Sequence, residues 1–478
     1  MQRKQETGKP GLPEEKRVEP ERTQEAQSIE VCKTTNGDSA NGREPERSLL
    51  EAIVSVNNMF EAQERVIANR GSSGIDGMTV NELNDYLMKH YLELCESIRG
   101  GWYKPKPVKR VEIPKPDGGK RLLGVPTVID RMVQQAIVQV LQPIFEQTFS
   151  DGSYGFRPKR NAHQAIQRAK EYYEEGYTYV VDLDLEKYFD TVNHDLLIKM
   201  VREVVKDETV IGLIRKFLKS GVMVDGLVSQ TVQGTPQGGN LSPLLSNIYL
   251  TKFDRMLEER GHKFVRYADD CNIYVKSPRA AERVMDGCIK FLEGKLKLKV
   301  NRKKSATGSP TKRKFLGFSL YQGKEGIKIR VHEKPLERLK ERLIAITSRN
   351  RGGSIERILA EISQLMNGWL GYYRIAELRS YLRELSKWLR RRIRAIYWKR
   401  WKRVRTRITN LIRLGVPRDR AWQWANSRKG YWCVAGSYIL TTTITNRYLE
   451  TLGFPNILAR YDELWKRAKR MEILHGTC

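Results

Sequence analysis

With 478 residues the chain is too long for one ordinary core and divides into two to four domains. Its 86 Lys and Arg against 56 Asp and Glu leave a formal charge of +30, more than solubility asks for and of the sign that attracts a polyphosphate. No bilayer-length apolar run, amphipathic anchor, lipidation signal or signal peptide is visible, so a nucleic acid is expected as partner over a membrane surface, and the protein is expected to work inside a cell.

Residues 1–48 are rich in Glu, Lys, Arg, Gln, Pro and Ser, and the first aromatic is Phe60, so this segment reads as a disordered tail. From Leu49 to about Gln322 helical and strand patterns alternate, as in an α/β or α+β body. Within it, "RVEIPKPDGGKRLLGVPT" (110–127) predicts a hairpin whose turn, Pro116 to Gly119, is flanked by Lys115, Lys120 and Arg121. Such a basic hairpin suits a triphosphate clamp or an ordinary solvated turn. Next, "YVVDLDLEKYFD" (179–190) is a strand in which Asp182 and Asp184 project to one face and which gives way after Asp184. A carboxylate there either caps the following helix or binds a metal. In "QGTPQGGNLSPLLSNIYL" (233–250), Gly234, Gly238 and Gly239 permit close backbone approach to a ligand, with Ser242 as helix cap and Pro243 as first helical residue. Then "FVRYADDCNIYV" (264–275) places Asp269 and Asp270 at the bend of a strand-turn-strand unit. Adjoining carboxylates about 4 Å apart repel by roughly 4 kcal/mol at an effective dielectric near 20, so water or a cation must screen them.

Two-metal phosphoryl transfer needs at least two carboxylates converging from separate segments, and Asp184 with the pair Asp269 and Asp270 meets that need. Beyond residue 322 the pattern turns helical. A continuous 3.6-residue stripe runs through 355–373, and 336–346 and 378–398 repeat the habit, which predicts a small bundle. From Lys328 to Arg420 there are 26 Lys and Arg against 8 Asp and Glu. At its centre, "RRRIRAIYWKRWKRVRTR" (390–407) has no acid and interleaves Tyr397, Trp398 and Trp401, a composition suited to phosphate tracking and base stacking. The candidate contacts are Arg390, Arg391, Arg394, Lys399, Arg400, Lys402 and Arg403. The six cysteines, Cys32, Cys95, Cys271, Cys288, Cys433 and Cys478, form no CxxC pair and read as free thiols, and P-loop, dinucleotide and zincin motifs are absent.

Taken as an ordered set, "IPKPDGGKRLLGVPTVIDRMVQQAI", "SYGFRP", "DLDLEKYFD", "GTPQGGNLSPLLSNIYL", "FVRYADD", "NRKKS" and "FLGF" make the chain resemble the reverse transcriptase and maturase proteins of mobile group II introns, from about Leu49 to Cys478. The resemblance implies an α+β right-hand polymerase. Fingers and palm, with an antiparallel palm sheet, would occupy 49–325, an α-helical thumb or maturase bundle 326–410, and a small basic DNA-binding region 411–478. "GWLGYYRI" (368–375) is similar to the maturase signature, although Trp369, Leu370 and Tyr373 read as core packing. Without a cysteine-paired endonuclease region, the chain is similar to the endonuclease-lacking bacterial type.

Further implications are residue by residue. Asp184, Asp269 and Asp270 would hold two Mg²⁺ ions, with Mn²⁺ as a substitute and the Leu185 carbonyl as an added ligand. Lys115 and Arg121 would contact the incoming triphosphate, Phe189 would select the deoxyribose, Gln237 would sit beside the nascent base pair, Lys304 near the leaving pyrophosphate, and 315–318 under the primer. The implied function is RNA-directed DNA polymerisation together with binding of the intron RNA, assistance to splicing and mobility by target-primed reverse transcription. Its partners would be intron RNA, an RNA template with a DNA primer, target DNA and dNTPs, in a bacterial cytoplasmic ribonucleoprotein. The alternative is a splicing maturase with an idle polymerase, which ranks second because no acid of the set is missing. An RNA-dependent RNA polymerase, suggested by Asp190 six residues after Asp184, is opposed by Phe189 and YADD.

Overall fold

A computed structural model describes residues 48–114, 119–224, 227–229, 233–235 and 238–475. The tail expected over 1–48 falls outside this range except for Ser48, and so do Lys115 and Gln237. Three helices, α1 (Leu49–Val54), α2 (Val56–Ala68) and α3 (Leu83–Arg99), lead the described chain, and α1 and α2 pack on the longer α4 (Val128–Glu146). The Thr127 hydroxyl accepts the Asp130 N–H at 3.1 Å and caps α4. Between α3 and α4, β1 (Val108–Pro114) and β2 (Lys120–Val125) pair antiparallel, with Pro114 opposite Lys120. This is the expected hairpin, and its turn at 115–118 lies outside the described residues.

The chain continues through α5 (Ala162–Glu174), β3 (Tyr179–Leu183), α6 (Tyr188–Thr191), α7 (His194–Val204) and α8 (Glu208–Leu218). Two short strands, β4 (Val222–Val224) and β5 (Leu227–Ser229), then extend the hairpin sheet in the order β2-β1-β4-β5. Next come α9 (Ser242–Glu259), β6 (Lys263–Tyr267), β7 (Asp270–Val275), α10 (Pro278–Gly294), β8 (Ala306–Gly308), β9 (Phe318–Gly323) and β10 (Gly326–Val331). The α9 cap differs from expectation by one residue: Leu241 takes the cap position and Ser242 is already helical.

The central sheet runs β6-β7-β3-β8 with all neighbours antiparallel, and α9 and α10 supply its two crossovers, a split βαβ arrangement. Alternation along the strands feeds two cores. Val181, Leu183, Cys271 and Ile273 enter one shared with α9 and α10, while Val180, Val265 and Tyr274 enter the other with α5 and the β9–β10 hairpin. Each such side chain contributes about 1.5–3 kcal/mol by leaving water. Both faces being covered, an acid in these strands stands out, and Asp182 and Asp270 are two such breaks.

The helical part follows expectation closely. Helices α11 (Glu333–Ile346), α12 (Ile355–Tyr373) and α13 (Arg379–Arg400) form where the stripes lie, with Ile355, Ile358, Leu359, Ile362, Met366 and Leu370 of α12 buried. Six further helices complete the chain: α14 (Val404–Arg413), α15 (Arg418–Ala425), α16 (Tyr431–Gly436), α17 (Tyr438–Thr443), α18 (Asn446–Thr451) and α19 (Ile457–His475). Helix α13 packs on α16 and α19. Among the described residues no helix is long and apolar enough to cross a membrane, and Cys95, Cys271, Cys288 and Cys433 are free.

Candidate active site

Tyr267 pairs with Asp270, which leaves Ala268 and Asp269 as the two-residue turn between β6 and β7. Ala268 adopts φ +58°, the left-handed region, disfavoured for an L-residue by roughly 1–2 kcal/mol. The surrounding structure holds it there. Arg266 donates from one terminal nitrogen to the Ala268 carbonyl at 2.9 Å and to Asn247 Oδ1 at 3.1 Å, while its Nε and other terminal nitrogen grip the Asp254 carboxylate at 2.7 and 2.5 Å. The two side chains are 1% and 0% exposed, a bidentate ion pair sealed directly beneath the turn. From the other side Gly155 presses so closely that a Cβ there would lie 2.3 Å from the Ala268 nitrogen. The Tyr154 N–H donates to the Arg266 carbonyl at 2.8 Å, and Arg157 donates to the Ser153 carbonyl at 2.9 Å and pairs with Glu146. "SYGFRP" is therefore a brace for the acidic turn.

Asp184 is the first residue beyond β3. Its N–H donates to Ser305 Oγ at 3.0 Å and its carbonyl accepts the Asn301 N–H at 2.8 Å, so the loop that carries "NRKKS" clamps its backbone. Asp182 pairs with Asn272, and alternation brings Asp182, Asp184 and Asp270 to one face of the sheet. Burial, then the charges of Asp182 and Asp269, push the Asp270 carboxyl up to about 8, against the opposing charge of Lys314. Burial also pushes Asp182 up to about 6, with Arg313 opposing and Asp184 adding. Asp269 is raised by burial and by Asp184, while its own N–H, Arg121 and Arg266 restrain it. Among the described residues no three acid, histidine or cysteine side chains close round an ion position. The donor chemistry nevertheless fits a hard divalent cation: crowded carboxylate oxygens raise one another's proton affinity, and a cation would relieve them.

Of the remaining candidates the structure describes Arg121, Phe189, Leu185 and Lys304. Arg121 is exposed on β2, and its charge is among those that restrain the rise of Asp269. Lys115 and Gln237 lie outside the described residues. Phe189 is half-buried on α6, its ring 5.2 Å from Tyr188, and the Tyr188 hydroxyl donates to the Ser246 carbonyl at 2.9 Å. Leu185 is buried in a bridge to Val300, and Lys304 is exposed in the clamp loop. Of the three glycines expected to allow close approach, Gly234 and Gly238 lie against the protein's own backbone and Gly239 against the Gln134 side chain. A Cβ on Gly234 would lie 2.9 Å from the Phe189 and Asp190 carbonyl oxygens, and one on Gly238 2.8 Å from the Gly124 oxygen.

The basic helix divides in two. Arg400, Lys402 and Arg403 are exposed. Arg394 is buried and donates to the Ile444 carbonyl at 2.8 Å and Asn446 Oδ1 at 3.0 Å, Arg391 donates to the Trp432 carbonyl at 2.9 Å, Arg390 lies over the Phe454 ring, and Lys399 bonds Asn350. These four join α13 to its neighbours. Trp398 and Trp401 are buried as well, so they are core and offer bases no exposed surface. The sequence reading named Asp182 only as sharing a face with Asp184 and missed Ser305, Arg266 and Asp254; for Arg266 and Asp254 a charge among apolar residues of a strand or helix was the available signal.

A split βαβ sheet with carboxylates gathered at its hairpin end fits a right-hand polymerase fold. Residues 113–320 match the family model for reverse transcriptase (RNA-dependent DNA polymerase), and residues 336–415 match the group II intron maturase-specific domain. Protein YkfC of Escherichia coli is 35% identical over 297 residues, covering 54% of this chain and 78% of that one. The group II intron-encoded protein LtrA of Lactococcus lactis is 37% identical over 210 residues, covering 43% of this chain and 34% of that one, so the chain spans about a third of LtrA's length. A Candida tropicalis telomerase structure aligns at TM-score 0.38 and 13% identity over 74% of this chain and 68% of that one, too distant to add to the assignment. The chain belongs to the group II intron-encoded reverse transcriptase and maturase family, whose members are RNA-directed DNA polymerases that assist intron splicing and mobility.

Proposed function

We propose that this protein extends a DNA primer on an RNA template by two-metal nucleotidyl transfer at Asp184, Asp269 and Asp270, and that it works in a bacterial cytoplasmic ribonucleoprotein with its intron RNA, inserting at target DNA by primed reverse transcription. The observation that carries this reading is the convergence on one sheet face of Asp182 in β3, Asp184 just beyond it and Asp270 at the start of β7, with Asp269 in the adjoining turn that Arg266 and Asp254 lock. Bound Mg²⁺ supplies activation of the primer 3′-hydroxyl and neutralisation of the leaving pyrophosphate. The chain's own part is geometric. Ser305 and Asn301 fix where Asp184 projects, Arg266 fixes Asp269, and Arg121 with Lys115 would orient the triphosphate, leaving no need for a protein nucleophile. Phe189, held on α6 by the Thr235 N–H donating to its carbonyl at 2.6 Å, would stand against a ribose 2′-hydroxyl. Gln237 would support the nascent pair, Lys304 the pyrophosphate, and the Leu185 carbonyl one ion.

The test is extension of a DNA primer on an RNA template with dNTPs and Mg²⁺ by purified protein. Extension by the native chain and its loss in Asp269→Asn supports the proposal. Equal inactivity of both, with intron splicing still promoted, would favour a maturase with an idle polymerase. Efficient rNTP incorporation by the native chain would contradict the role given to Phe189, and Phe189→Ala should admit rNTPs where the native chain excludes them.

A further inference from the structure

An open groove of about 1420 Å³ lies away from the carboxylates: none of Asp184, Asp269 and Asp270 lines it. One wall is the outer face of α5 and the turn before it, opposite the face that carries Ala165, Ile166 and Ala169 into the core. The other walls are the far end of β10, the link between α12 and α13, and α19. The α19 wall is pinned, since the Tyr461 hydroxyl donates to the Ala376 carbonyl at 2.8 Å and accepts the Leu378 N–H at 3.2 Å. The link is tied to β10 by the Glu377 N–H donating to the Ile329 carbonyl at 2.9 Å.

Its charge does not cancel. The four lining glutamates are each matched: Glu171 by Arg168 at 2.8 Å, Glu174 by Lys170 at 3.4 Å, and Glu325 and Glu377 by Lys328 at 3.3 and 2.9 Å. Lys159, Arg374 and Arg467 remain over, and among the described residues no acid pairs with them. Arg374 and Arg467 line the same groove, and burial, then the Arg467 charge, push the Arg374 guanidinium below its usual value. Cations that line one groove without a paired acid are what a phosphodiester would match. Aromatic rings flank the same trough, Tyr154 beneath Arg160 at 5.3 Å and Trp465 beneath Lys469 at 5.5 Å.

We propose that this groove is a second nucleic-acid site, which takes the sugar-phosphate backbone of a single strand while the template and primer occupy the carboxylate cleft. Arg374, Arg467 and Lys159 contact phosphates there, and Trp465 offers a stacking surface. The inference goes beyond the polymerase proposal and does not need the polymerase to be active.

The experiment uses full-length protein saturated with an unlabelled, chain-terminated template–primer duplex, and measures binding of a labelled single-stranded RNA and of the same-sequence DNA across a salt series. The saturated protein should still bind the strand. Lys159→Gln with Arg467→Gln, both exposed positions, should weaken that binding about 5- to 10-fold and flatten the log affinity against log salt slope by about 1.4, roughly 0.7 for each lost single-strand phosphate contact. Primer extension should be unchanged, and Arg467→Lys should keep most of the affinity. Preference for RNA would identify an RNA strand as the occupant, and equal affinity a backbone-only site; both support the groove. No binding to the saturated protein, an unchanged salt slope in the double variant, or displacement by polyglutamate as effective as by RNA would overturn it.

Discussion

On the proposed function the sheet edge that carries Asp184, Asp269 and Asp270 and the helices from α13 onward would both serve a polyanion, yet they are built on opposite plans. At the sheet edge a few charges are held by buried, fully paired supports, Arg266 with Asp254 below and Ser305 behind. Across the basic helices many charges are spread, some spent on the fold itself, as Arg394 is on Ile444 and Asn446, and others left in water, as Arg400, Lys402 and Arg403 are. Chemistry at a primer terminus tolerates little displacement, whereas backbone binding sums many weak, exchangeable contacts. Single substitutions should therefore be severe at the first region and mild at the second.

The largest effect is expected for Asp269→Asn, which should lower primer extension at least about 1,000-fold, on the scale of losing preorganised electrostatic stabilisation, with intron RNA affinity unchanged. Steady-state extension and filter binding on one preparation check this, and a parallel fall in both would break the contrast. Next, Asp254→Ala leaves the Arg266 charge buried without its partner and should destabilise by about 3–5 kcal/mol, read by denaturant unfolding. Arg266→Lys should be milder in stability yet still impair extension, because a lysine cannot hold Asp254 bidentately and also reach the Ala268 carbonyl.

A third effect is on pH. Asp182 and Asp270 bind protons more tightly folded than unfolded, where their value is 3.8, so folding takes up protons and stability falls as pH rises. The fall should run from about pH 4 to about 6 for Asp182 and on to about 8 for Asp270, then level. Unfolding of the Mg²⁺-free protein between pH 5 and 8 should show it, and Asp270→Asn should remove most of the slope above pH 6. The smallest effect belongs to the exposed basic set: Arg400→Gln, Lys402→Gln or Arg403→Gln should each weaken RNA binding only a few-fold and reduce the salt slope by about 0.7–0.9.

What was legible in the sequence follows from which physics is local. Period-two and period-3.6 patterns marked β3, β6, β7 and α12 because alternation and stripe are properties of adjacent residues. The acids of the turn were legible because two carboxylates in a β-prone run call for a counter-charge. The supports were not. That Arg266 meets Asp254, that Ser305 meets Asp184, and that Gly155 lies against Ala268 are contacts between residues 12, 121 and 113 positions apart, which only the assembled sheet creates. The aromatics of 390–407 misled for a related reason: Trp398 and Trp401 read as a stacking surface by composition, but Trp398 on α13 and Trp401 just past its end both turn into the core. The groove at α19 was equally hidden, since its walls come from four separate stretches of chain.

The most direct test of the central claim is the number of divalent ions bound at the sheet edge, counted by Mn²⁺ titration of the protein with a chain-terminated template–primer and an incoming dNTP. Two ions in the native complex, with at least one lost in both Asp184→Asn and Asp269→Asn while duplex affinity persists, is the result predicted here. An undiminished count in either variant would contradict the cradle formed by β3 and the β6–β7 turn.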